Sequence, residues 1–467
     1  MSRLSNWGRA GVGIRDARLG DVSTPSPELS ASSLITRIHG RYYDVGTFEH
    51  PGGCPAIECA RDRDATALFE SYHALHRARP LRALAQFEIT PEQAESAERF
   101  LAEKRFGEPG YDWEATRSSP FCIELMDFSR RYFEQERRRR GLRSIAQAMK
   151  APPRRWLEVV ALGAIFFIAL AFFVRGNWLA LVLAPIAGWL FMVNFWHDAL
   201  HFAMSSRWRV NALLPYAFPW FISPLLWMHQ HVIGHHTFPN HPERDPDIRG
   251  VPKLLRHSPA TSWRPAYRAQ RLRAVLLAVY SLMCLSRNLI RDHITHALGW
   301  FNDSVPLSFP SPTRRLAHVA GRLAVAWSLY VWPFQAFPFG KALVFAIVPS
   351  LILSELFLLF SQINHVTEEG IAGAGVGSSN WYEAQALASC NFAPRSYLAF
   401  LASGGLNLQI EHHLLPGVNH AHLYRLSPDI RRICERHGVR YQCFPSFTAA
   451  LRSHFALMRR LADELTD

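Results

Sequence analysis

Between Trp227 and Asn240 the chain reads WMHQHVIGHHTFPN, in which His231, His235 and His236 form an H-x-x-x-H-H cluster with His229 beside it. On an α-helix His231 and His235 share one face a turn apart while His236 turns to the side, so one element could touch two metal ions. Two further groups extend the pattern, His197 and His201 in HDALH upstream, and Gln409, His412 and His413 in QIEHH downstream. Imidazole suits zinc, copper, iron and nickel alike, so the boxes point to metal without naming it. With His365 in QINHVTEE the candidates number eight histidines, more than one octahedral ion accepts, and two ions are implied. Asp198, Asp245 and Asp247 are placed either to orient ligand rings through the second nitrogen or to cap helices and loops. His229, His241, His257, His293, His296 and His318 stand outside the boxes and read as surface or supporting residues, and His420 and His422 in the tail read as structural.

A second chemistry-bearing stretch lies near the amino terminus. YYDVGTFEHPGG places His50-Pro51-Gly52-Gly53 at a tight bend whose glycines let backbone approach a large flat ligand, and DATALFESYH follows, ending in His73. From Ser32 to Phe87 these residues resemble cytochrome b5. The resemblance implies a haem b held axially by His50 and His73, with His76 competing as the second ligand. Such a haem transfers electrons because two imidazoles leave no open position for oxygen. An electron carrier fused to a histidine site makes sense only if the metal changes oxidation state, which zinc does not, so iron is favoured.

The elements that position these groups follow from how the apolar residues are distributed. Of 467 residues 49% are hydrophobic, concentrated in blocks, and the net charge is +13. Clustering of arginines beside apolar blocks (Arg137 to Arg140, Arg143, Arg154, Arg155) favours an anionic membrane face over nucleic acid. Leu157 to Val174 and Trp178 to Trp196 are each close to the ~20 residues that span a bilayer. The turn between them carries only Arg175, which marks the far side. Ala212 to Met228, broken by three prolines, reads as re-entrant or interfacial, and Ala274 to Leu285 as an interfacial helix too short to cross. Val325 to Phe339 and Ala342 to Phe360 read as a second hairpin of spans. Even parity then returns every box to one side, the side of the haem module. The 7 cysteines form no C-x-x-C, so neither a zinc ribbon nor a disulfide framework is indicated.

The predicted fold is an α-helical integral membrane protein of about four transmembrane helices, interfacial helices and a cytosolic histidine-rich cap, with a small N-terminal α+β module. The expected divisions are a disordered 1–31, a haem domain at 32–90, a basic cytosolic linker with helices at 91–155, and a membrane domain with a soluble tail at 156–467.

H-D-x-x-H, then H-x-x-x-H-H-T-F-P-N with DPD behind it, then Q-x-x-H-H, on a cytochrome b5 fusion, resembles the front-end fatty acyl desaturase family over nearly the whole chain. The resemblance implies His197, His201, His231, His235, His236, His412 and His413 as iron ligands, with His365 as an additional one and Gln409 as the family's mark. It implies two iron ions, haem b and dioxygen as co-substrate. The reaction would place a double bond between an existing one and the carboxyl end of a polyunsaturated acyl lipid or acyl-CoA. NADH-cytochrome b5 reductase would supply electrons in the endoplasmic reticulum membrane, with both termini and the site cytosolic; a plastid location stays open. Sphingolipid long-chain-base desaturation, acyl hydroxylation and a non-catalytic membrane haem protein are the alternatives.

Overall fold

A computed structural model describes residues 33–103, 110–249, 251, 253–301, 305–307 and 312–463. The amino-terminal segment expected to be disordered lies outside the described residues.

The first module is a three-stranded sheet in the order β2-β1-β3, with β1 (Ile35–Ile38) antiparallel to β2 (Arg41–Asp44) and parallel to β3 (Arg63–Asp64). Helices α1 (Cys54–Ala60), α2 (Thr66–His73) and α3 (Ala78–Leu84) pack with it. Their shared core is Leu34, Ile38, Tyr43, Val45, Phe69 and Leu84. A surface helix, α4 (Pro91–Glu103), follows; proline fits its first turn because an N–H there has no helical partner anyway.

Helix α5 (Pro120–Arg139) turns Phe121, Leu125, Met126 and Phe133 into a large core with Trp381, Tyr382, Leu408, Ile410 and Leu426. Its arginines are partly neutralised along the helix, Arg137 and Arg138 by Glu134 and Arg139 by Glu136. This cap surrounds the third histidine box.

Among the described residues four helices are long and apolar enough to cross a membrane: Ile145–Val174, Trp178–Leu200, Arg273–Leu298 and Phe339–Gln362. The first pair contains α6 (Pro153–Val174) and α7 (Trp178–Val193), the latter continued by the short α8 (Trp196–Leu200). Leu157, Val160, Phe167, Ile168 and Leu179 project outward, each more than half exposed, as a lipid-facing surface requires.

The second pair differs from expectation. The segment read as interfacial, Ala274 to Leu285, belongs to a 26-residue helical run, α9 (Arg273–Leu298), that turns at Leu282 and widens to a π-helix over Arg287–Arg291. The charged residues just beyond Leu285 are paired inside the fold. Arg287 donates to Asp292 at 2.9 Å and Arg322 lies 3.6 Å from the same carboxylate. Buried paired charges do not stop a helix, whereas unpaired ones would. The expected span Val325 to Phe339 is instead divided between α10 (Pro312–Tyr330), a short helix at Trp332–Ala336, and the start of α11 (Phe339–Gln362). Candidate spans between the second and third boxes still number two, so parity is unchanged.

Beyond α11 come α12 (Trp381–Leu387), α13 (Gln409–Leu414), α14 (Leu423–Arg436) and α15 (Phe447–Leu461). Between the amino-terminal α+β module and the apolar helical part the packing is direct. Gly53 has φ +76° and a Cβ there would lie 2.2 Å from Trp208, so only glycine permits this approach. The bend therefore brings Gly53 against protein, while Gly52 is the glycine that lies against His50.

Candidate metal centre and its haem domain

The second box is not α-helical. Met228–His235 is a π-helical stretch, and the N–H of His236 donates to the carbonyl of His231 five residues back. Widening the turn by one residue returns position i+5 to the neighbourhood of position i. His236 therefore does not turn aside as an α-helix would demand; its Nε2 lies 3.2 Å from that of His231.

The three boxes and His365 meet in two lobes. His197, His201, His231 and His412 bring one ligand atom each to within 4.8 Å of one another. His236 joins them, its Nε2 3.1 Å from that of His412. The second lobe is His235, His365 and His413, whose Nε2 atoms form a triangle with sides of 3.3, 3.3 and 3.1 Å. Gln409 adjoins it, its side-chain amide 3.0 Å from His365 Nε2. All eight rings and Gln409 are buried.

Proton accounting decides what this triangle can be. His235 Nδ1 faces Asp245 at 2.9 Å, His365 Nδ1 faces the Ala388 carbonyl at 2.8 Å, and His413 Nδ1 faces the Gln385 side-chain oxygen at 2.7 Å. Each partner is an acceptor, so each Nδ1 carries the proton and donates it. Three Nε2 lone pairs then converge, that of His365 also within reach of the Gln409 side-chain N–H at 3.0 Å. Such a cluster repels itself unless a cation sits among the lone pairs.

In the other lobe three of the five rings have a partner at Nδ1, while the Nδ1 atoms of His197 and His236 are buried with none among the described residues. His231 Nδ1 donates to Asp247 at 2.8 Å. His412 Nδ1 donates to His420 Nε2 at 3.0 Å, because His420 gives its own Nδ1 proton to the Gly404 carbonyl at 2.7 Å. His201 Nδ1 meets the Tyr72 hydroxyl at 2.9 Å, and its Nε2 is buried with no hydrogen-bond partner among the described residues.

Burial holds His201, His236, His365, His412 and His413 well below the usual imidazole range, in the neutral form that ligates. His231 is lowered too, by burial against the opposing pull of Asp247. His235 goes the other way: burial would lower it, but the charges of Asp245 and Asp247 outweigh that and raise it. Negative charge therefore lies directly behind two of these rings, His231 and His235.

A cavity opens on both lobes. Trp227, Met283, Phe357, Leu358 and Leu406 line it together with His197, His231, His235, His365 and Gln409. Apolar walls on one side and converging imidazoles on the other suit an alkyl chain held against metal.

Residues 176–445 match the sequence family described as Fatty acid desaturase. The chain belongs to that family. Residues 27–108 match a Cytochrome b5-like Heme/Steroid binding domain, so this desaturase carries its electron-transfer domain in the same polypeptide. It is an integral membrane oxidoreductase. Among its relatives is an acyl-lipid omega-13 desaturase of Chlamydomonas reinhardtii, 28% identical over 86% of this chain and 88% of that one. An acyl-lipid (8-3)-desaturase of Physcomitrium patens is 27% identical over 91% and 87%. The Delta(5) fatty acid desaturase A of Dictyostelium discoideum is 25% identical over 91% and 90%.

In the desaturase's haem domain the rings of His50 and His73 have centroids 5.8 Å apart, and His76 lies 5.5 Å from His73. Burial lowers His50 to about 4 and His73 to about 3, the latter also pressed by neighbouring His50, His76 and Lys150. The Gly52 N–H donates to His50 Nδ1 at 2.9 Å, which puts that ring's own proton on Nε2 in this arrangement, and His73 Nδ1 is buried without a partner among the described residues. Two neutral rings beside the apolar Phe48, Phe69 and Phe87 fit an axially ligated haem.

Sequence reasoning missed Tyr72, Gln385 and the Ala388 carbonyl, and took His420 as structural. No local signal marks the first three. For His420 the only hint is its place seven residues after His413 in a turn-rich stretch. Asp245 and Asp247 carried a visible one, their acidic type in the DPD motif close behind the box. His229 stays outside the lobes, its Nδ1 against the Leu225 carbonyl at 2.9 Å.

Proposed function

We propose that this desaturase is a front-end polyunsaturated fatty acyl desaturase that holds two iron ions and receives its electrons through the fused haem domain. The observation that carries the reading is the triangle of His235, His365 and His413, three lone pairs aimed at one point. His197, His201, His231, His236 and His412 would hold the first ion, and His235, His365 and His413, with Gln409 beside them, the second. Held there, iron would supply the oxidising power, drawn from dioxygen, for removing two hydrogens from adjacent unactivated methylenes.

The remaining work belongs to side chains. Asp247 and Asp245 fix the rings of His231 and His235 and raise their basicity. Trp227, Met283, Phe357 and Leu406 exclude water and hold an acyl chain beside the lobes. His50 and His73 hold haem b, the closeness of their rings favouring His73 over His76. Arginines flank α6 on the histidine side, while Arg175 is the charge in the turn after it, which by the positive-inside rule makes the site and termini cytosolic. We assign the electron source to NADH-cytochrome b5 reductase and the membrane to the endoplasmic reticulum. Relatives named (8-3)- and (7-3)-desaturases support the acyl-lipid substrate class.

Expression in yeast fed individual polyunsaturated acids, as free acid or with phospholipid and acyl-CoA pools separated, tests the reading. New double bonds on the carboxyl side of existing ones are expected. Hydroxylated acids without new double bonds would replace desaturation by hydroxylation.

A further inference from the structure

Most ligand imidazoles with a partnered Nδ1 are oriented by the desaturase half: His231 and His235 by Asp247 and Asp245, His413 by Gln385, His365 by Ala388 and His412 by His420. His201 is the exception. Its Nδ1 lies 2.9 Å from the hydroxyl of Tyr72, a residue of the haem domain's α2, and the two rings are stacked at an interplanar angle of 24°. With Nε2 of His201 turned to the metal, Nδ1 carries the proton and donates it to the Tyr72 oxygen. The next residue after Tyr72 is His73.

The tyrosine is seated rather than draped. Its ring meets Phe202 edge-on at 6.0 Å, and a Cβ on Gly417 would come within 2.9 Å of its Cδ1. Independent contacts hold the whole module in register: Gly53 against Trp208, the Arg63 guanidinium donating to the Pro306 carbonyl at 3.3 Å, and Cys59 in one cluster with Ile233 and Phe238 of the second box region.

We propose that Tyr72 completes the metal centre from the haem domain, orienting His201 as a positioning residue and forming the contact through which electrons cross from haem to metal. This rests on the iron and haem assignments above. Tunnelling falls off exponentially with distance and favours bonds over gaps. The path here is the covalent link from His73 to Tyr72, one hydrogen bond, and the His201 ring. In each event one electron is lost by ferrous haem, which becomes ferric, and is gained by a ferric ion held at His201, which becomes ferrous. No bond forms or breaks and the phenol keeps its proton.

The test is the full chain in nanodiscs, anaerobic, with the haem reduced and the metal pair ferric, followed by stopped-flow absorbance of the haem. Wild type should reoxidise its haem, and zinc-substituted wild type should not. Tyr72→Phe keeps the ring and removes the acceptor. It should retain haem and iron content and haem potential, yet reoxidise roughly 10- to 100-fold more slowly, with altered Mössbauer parameters for one iron. Wild-type rate and an unchanged Mössbauer spectrum in Tyr72→Phe would overturn the role of Tyr72 alone. Failure of iron-loaded wild type to reoxidise its haem would bring down the parent reading and this one with it. Should Tyr72→Phe lose iron, Tyr72→Gln, which restores an acceptor, should regain both iron and rate; if it does not, the proposal fails.

Discussion

His365 and His413, separated by 48 positions in the chain, face each other Nε2 to Nε2 at 3.1 Å, although each has already given its only ring proton to an acceptor behind it. Two lone pairs at that distance repel one another, and a cation between them would relieve the repulsion. Replacing His413 by alanine should therefore remove one iron per chain, leave the haem absorbance intact and abolish turnover. Iron content by mass spectrometry checks it. Two irons retained per chain would place His413 outside the centre.

Asp247 accepts from both His231 Nδ1 at 2.8 Å and the Gln230 amide at 2.6 Å, and Gln230 in turn accepts from Arg287 at 2.6 Å. Asp247→Asn keeps the shape and removes the charge behind the ligand. Activity or metal affinity should fall roughly 10- to 100-fold. Kinetics and competitive chelation measure it, and an unaltered enzyme would assign Asp247 to the loop alone.

Gly53→Ala puts a methyl group into Trp208 at a backbone angle that L side chains seldom adopt. Stability should drop by about 1–3 kcal/mol at that residue, read by thermal unfolding. Because this contact docks the haem module, haem reoxidation should slow as well, with the haem spectrum unchanged. Normal electron delivery in this variant would show that docking does not depend on the bend.

Glu70 is buried in the haem domain, where burial alone would raise its carboxyl; the hydrogen bond to His39 at 2.7 Å and the charges of Arg77 and Arg117 outweigh that and hold it below its ordinary value. A carboxyl depressed by folding contributes stability above the unfolded pKa of about 4.3 and loses it as pH falls through the lower folded value. Glu70→Gln should thus be less stable than wild type at neutral pH, and the difference should shrink as the pH is lowered from ~5 through the folded pKa. Chemical denaturation followed at several pH values measures this. A constant gap would assign the effect to packing.

Much of this protein is written locally. The boxes, the HPGG bend and the first pair of apolar spans are short stretches whose residue types already fix what they can do, and the number of spans between boxes is enough to put all boxes on one side. Misreading entered where charge was judged by sequence alone. Ala274 to Leu285 looked too short to cross, and the pairing of Arg287 with Asp292 inside the fold lets α9 run on past it. His236 was expected to turn to the side of the ring of His231, and the π-helical turn instead brings it back beside that ring.

What tertiary structure alone decided is the division of the eight histidines between two lobes, the acceptors behind them and the reach of Tyr72 to His201 across 129 positions. Each depends on which long-range neighbour receives a ring proton. A sequence states which groups can donate and accept, but the tautomer of an imidazole, and hence where its lone pair points, is set by whichever group the folded chain brings to its other side.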